Sequence, residues 1–81
     1  MKISVRLFAG AREAVGAGTV TLEIPVGATA GDALRELVSQ HPSLQRLAAV
    51  SRLAIDGVYA SADAPLNEGT ELAILPPVSG G

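Results

Sequence analysis

Cysteine is absent from all 81 residues, which excludes disulfides, thiolate metal sites and a cysteine nucleophile. Aromatics are almost as scarce, with no tryptophan and only Phe8 and Tyr59. The single histidine, His41, stands directly before Pro42 at a predicted helix end, where it reads as a helix-terminal side chain rather than a ligand. Six basic residues are scattered through a chain of net charge −2, so no electrostatic footprint for nucleic acid is present. No apolar run approaches the ~20 residues of a membrane span. Lys2 leads straight into an alternating pattern rather than a signal peptide, so a cytoplasmic location with no membrane or nucleic-acid partner is expected. No Ser/His/Asp set, HExxH, P-loop or GxGxxG occurs. The chain has few side chains with which to catalyse anything, and it is not expected to be an enzyme by itself.

What is present is aliphatic. A hydrophobic fraction of 48%, carried by Ala, Val, Leu and Ile, supports one globular domain at the small end for a self-sufficient core. Residues 2–9 alternate Ile3, Val5 and Leu7 with Lys2, Ser4 and Arg6, the period of a half-buried strand. A short turn over 10–15, roughly one helical turn, precedes a second strand at 19–24 with Val20, Leu22 and Ile24 on one face. Thr29 followed by Asp32 is a capping-box variant that opens a helix over 30–40. Its apolar stripe is Ala30, Ala33, Leu34, Leu37 and Val38, and Pro42 stops it. One further helical turn is expected at 43–47, then a strand at 52–56 with Leu53 and Ile55 inward. Asp56-Gly57 signals a hairpin returning through Val58-Tyr59, and a last strand runs over 71–75. The order ββαββ implies an α+β fold. Its most economical form is a β-grasp: a mixed sheet of four to five strands with one main helix on one face, and the first and last strands parallel and central.

The chain closes Pro76-Pro77-Val78-Ser79-Gly80-Gly81. Prolines lack the N–H needed to continue a sheet and hold the backbone extended. Glycine removes the Cβ, so the end fits a slot as narrow as a backbone. At a glycine background of ~7%, a terminal Gly-Gly arises by chance in roughly one chain in 200, so the pair alone is weak evidence. Behind a strand and Pro-Pro it becomes informative. The expected division is a domain over 1–75 and a flexible tail over 76–81. The tail would present the Gly81 carboxylate for activation and for passage between active sites on other proteins.

Parity gives a second expectation. Phe8 shares the face opposite the helix with Lys2, Ser4 and Arg6, and Leu75 falls on that same face. If the first and last strands are neighbours, Phe8 and Leu75 form an apolar docking patch where the tail departs, extended by Tyr59 and rimmed by Arg12. The competing placement folds Phe8 back into the core.

Taken together, the opening run 3–9 with Ala11-Arg12-Glu13, the Asp56-Gly57 turn, Pro65-Leu66-Asn67-Glu68-Gly69 and above all the final hexapeptide resemble one known family. It is that of the small subunits of molybdopterin synthase, the MoaD-type sulfur carriers of the ubiquitin-like β-grasp superfamily. The resemblance spans the whole length, and Asp56 replaces an asparagine frequent in the family. It implies no bound cofactor. An activating enzyme related to ubiquitin E1 would use ATP to adenylate Gly81, and a sulfur donor protein would convert it to a thiocarboxylate. The larger synthase subunit would receive the tail and supply the catalytic residues. Three alternatives stay open: a carrier for thiamine thiazole, tRNA thiolation or cysteine synthesis; a ubiquitin-like modifier joined to lysines through Gly81; and a β-grasp interaction module with an idle tail.

Overall fold

The computed structural model describes residues 1–77. Val78, Ser79, Gly80 and Gly81 lie outside the described residues, together with the tail and terminal-carboxylate expectations placed on them.

Five strands form one mixed sheet: β1 (Lys2–Leu7), β2 (Thr19–Glu23), β3 (Arg52–Ile55), β4 (Val58–Ala60) and β5 (Glu71–Leu75), in the order β2-β1-β5-β3-β4. β1 and β5 are parallel neighbours with Val5 opposite Leu72 and Leu7 opposite Ile74, and the remaining pairs are antiparallel. The helices are α1 (Ala9–Val15), α2 (Ala30–Gln40) and α3 (Gln45–Val50), with a 3₁₀ turn at Pro42–Leu44 before α3. The β-grasp expectation, including the central parallel pair, is realised.

Alternation in β1 and β5 places Ile3, Val5, Leu7, Leu72 and Ile74 in one buried cluster with Ala30, Ala33 and Leu37 of α2. Small alanines on the inner stripe bring the helix close to the sheet, and Leu37 fills the space toward its end. α2 starts and stops at the expected residues, for local reasons. The Thr29 hydroxyl accepts from the Asp32 N–H (3.2 Å), and the Asp32 carboxylate accepts from the Thr29 N–H (2.9 Å). The other two first-turn donors are satisfied by the loop over 61–65, Ala30 N–H on Ala64 O (2.9 Å) and Gly31 N–H on Ala62 O (2.7 Å). A Cβ at Gly31 would stand 3.0 Å from that Ala62 oxygen, so a larger residue would make the loop give way by a few tenths of an ångström. The hydrogen bonds from Thr29, and then Arg35, hold the Asp32 carboxyl below its ordinary range. The cap is therefore intact at neutral pH, and its contribution is lost only as pH falls through that lowered value.

Several boundaries differ from expectation. β1 stops at Leu7 rather than residue 9, because Ala9 turns left-handed (φ 48°) and the Phe8 carbonyl becomes the acceptor for Ala11 and Arg12. The helix after it has seven residues and starts one earlier than expected. The strand expected at 19–24 ends at Glu23, with Ile24 still buried. The strand expected at 52–56 ends at Ile55, since Asp56 (φ 48°) and Gly57 (φ 85°) form a two-residue turn of the I′ kind. β4 takes in Ala60, and the helical turn expected at 43–47 extends over Pro42–Leu44 and Gln45–Val50.

Candidate functional site

The sheet face turned away from α2 is a built surface. Register sets a row across four strands: Arg6 beside Ala73, Ala73 beside Ala54, and Ala54 beside Tyr59. Two alanines make its floor, and an arginine–aromatic pair stands on each side. The Arg6 guanidinium lies 5.0 Å from the Phe8 ring centroid, and that of Arg52 lies 4.3 Å from the Tyr59 centroid. Arg6 also approaches Glu71 at 3.8 Å, an exposed pair of little energetic weight. Ala54 is buried although no helix covers it, with Tyr59 and Ala73 as its cross-strand partners.

Phe8 follows directly on the Leu7–Ile74 pair, as Leu75 does on the neighbouring strand, so both stand at the same end of the outer face. Each is half-buried, and neither belongs to the buried core cluster. The expected neighbourhood of Phe8 and Leu75 is present, and the core placement of Phe8 is not the one adopted. Tyr59 joins them: the turn at Asp56-Gly57 sets its parity with Ala54, and it is 63% exposed.

Pro76 and Pro77 leave β5 between two concave surfaces. Val50, Arg52, Tyr59 and Leu75 line one, and Ala9, Gly10, Arg12, Glu13 and Leu47 line the other. Arg12 is exposed and lies across Gly18, its guanidinium carbon 3.4 Å from where a Cβ would sit. Left-handed Ala9 makes this arrangement, because the sharp reversal after Phe8 brings α1 beside the prolines. Arg6 was expected on this face but not as a partner of the Phe8 ring, and Arg52 and Val50 were not anticipated. Outward parity in their strands was a signal for the two arginines, whereas nothing in 48–50 marked the exposed valine.

A family model described as the ThiS family matches residues 5–81. The chain belongs to the ThiS family. The match of this ThiS-family chain runs through the outer-face residues and the tail root to Gly81 itself. The "Molybdopterin synthase sulfur carrier subunit" of Arabidopsis thaliana is 42% identical over 81 residues, covering 100% of this chain and 84% of that protein. The crystal structure of SAMP1 from Haloferax volcanii superposes with a TM-score of 0.90 at 35% identity, over 100% of both chains. A chain from the protein–protein complex of subunits 1 and 2 of molybdopterin-converting factor from Helicobacter pylori has the same fold, with a TM-score of 0.71, 22% identity and 100% coverage of both.

Proposed function

We propose that this chain is the sulfur-carrying small subunit of a molybdopterin synthase, with the Gly81 carboxylate as the atom group that carries the sulfur. The observation that carries this reading is the reach of the similarity, in which both the family match and the alignment with the Arabidopsis carrier extend to the final residue. Of the described tail residues, Pro76 and Pro77 both lie outside the buried cluster, which spans Ile3 to Ile74.

In this reading a nucleotide-dependent activating enzyme of the E1 kind adenylates Gly81, making the acyl carbon electrophilic. A sulfur donor displaces the nucleotide and leaves a thiocarboxylate. The domain over 1–75 is the handle, the tail over 76–81 is the arm, and the large subunit supplies the acid and base groups. Phe8, Leu75, Tyr59 and Arg12 ring the root of the arm and form the docking patch. The molybdopterin synthase name of the Arabidopsis relative favours that pathway over the other sulfur carriers weighed from the sequence.

Intact-mass measurement of protein isolated from its host tests the reading. A terminal oxygen-to-sulfur exchange is expected. Isopeptide adducts through Gly81 with no exchange would favour the ubiquitin-like modifier weighed from the sequence, and an unmodified terminus would leave the tail idle.

The docking patch makes a separate prediction. Phe8→Ala and Leu75→Ala are expected to weaken binding to a large synthase subunit by roughly 1–3 kcal/mol each, as interface anchors do. Their urea midpoints should move much less than that of Leu7→Ala, whose side chain is buried. Calorimetric titration beside urea melts separates the two effects. A Phe8→Ala protein that melts early yet binds normally once folded would remove the patch.

A further inference from the structure

Amines are nearly missing from this molecule, and the two that exist are in one place. Of six basic residues Lys2 alone is lysine, the others being Arg6, Arg12, Arg35, Arg46 and Arg52. The α-ammonium of Met1 is engaged, donating to Ile24 O at 2.6 Å and pairing with Glu23 at 3.4 Å. Because β1 and β5 run parallel, both amines stand at the end of the sheet where β5 begins, and the tail leaves from the other end. From Phe8 back to Lys2 is about 20 Å at ~3.3 Å per residue, whereas the four residues after Pro77 span at most ~14 Å. Both amines therefore stand at the far end of the sheet from the tail root.

The positions beside the tail root hold cations of another kind. Arg12 and Arg52 flank Pro76 and Pro77 on opposite sides. A guanidinium stays protonated and offers no lone pair, while a lysine ammonium releases a nucleophilic amine in its minor neutral fraction. An activated acyl group beside lysine is open to aminolysis. The amine nitrogen attacks the Gly81 carbonyl carbon and a C–N bond forms. The bond to the leaving group breaks with its electron pair, and one amine proton passes to solvent.

We propose that Arg12 and Arg52 give the tail root its positive charge without a nucleophile, so that the activated Gly81 survives instead of acylating its own chain. This rests on the carrier reading, and the test is built to fail separately from it. Gly81 is prepared as an alkanethiol thioester by intein cleavage, with no activating enzyme. The chains are wild type, Arg12→Lys, Arg52→Lys and the charge-removing control Arg52→Gln. Dilute samples at mildly alkaline pH are followed by intact mass.

Wild type and Arg52→Gln are expected to give only the hydrolysed acid. At least one arginine-to-lysine variant is expected to give a lactam, lighter than the acid by one water, at a rate independent of protein concentration. Its thioester should disappear roughly tenfold faster or more, as for a tethered nucleophile. Equal lifetimes in all four chains overturn the proposal. So does lactam from wild type, because the amines of Lys2 or Met1 would then be within reach. Either failure leaves the carrier reading intact, since no step here depends on sulfur.

Discussion

Removing Gly81, or adding one residue after it, is expected to abolish adenylation and sulfur transfer while leaving the urea midpoint unchanged within error. In the proposed reading the carboxylate is the reacting group, and a shift of one residue, about 3.5 Å, takes it out of any site built to hold it in line with a nucleotide. Strand pairing of the described chain ends at Leu75 and the buried cluster ends at Ile74. A coupled assay with the activating enzyme gives the first quantity and a urea titration the second. Full activity of the extended, unprocessed chain would end the carrier reading, and a large loss of stability would show that the terminus has a structural part.

The second large effect is expected in the opposite quantity. Leu72→Ala empties a side chain with no exposed surface near the start of β5, opposite Val5 and within the cluster that α2 covers. Truncations of this type cost about 2–5 kcal/mol, depending on how far the surroundings collapse. A domain of this size holds only about 4–12 kcal/mol in all, so a large share of the folded-state margin disappears. Leu37→Ala, buried on the helix side of the same cluster, should behave alike. Urea melts give both values. Whatever fraction remains folded should still bind the large subunit with nearly normal affinity, because neither side chain is on the outer face. A cost below ~1 kcal/mol would mean that the core tolerates a void at its centre.

Most of the architecture was legible because local and long-range preferences agree. Period-two alternation in 2–7 and 71–75 named the inward residues of the two central strands. Thr29, Asp32 and Pro42 bounded α2, since cap chemistry and proline geometry act within a few residues. What escaped was set by tertiary context. Nothing about alanine announces φ 48°, so the reversal at Ala9 and the true end of β1 were hidden. The run Gln45–Val50 is too short for a helical stripe to stand out. At the site, parity was enough to bring Phe8 and Leu75 together. The stacking of Arg52 on Tyr59 depended on the hairpin register, which a two-residue turn fixes only once its conformation is known.

The placement of β5 has a consequence for how the molecule comes into being. The strand made last among the described elements is the one inserted at the centre, between β1 and β3. Until residues 71–75 have been synthesised, the sheet exists only as two unconnected hairpins, β1 with β2 and β3 with β4. Isolated two-stranded hairpins are marginal in water, and contacts between sequence-distant segments form late. The sheet can therefore close only once residues 71–75 are available to join its two halves. A translation product broken off before Glu71 lacks the joining strand. Such a fragment is left with two marginal hairpins open to proteases, so the middle strand makes folding all-or-none with respect to residues 71–75.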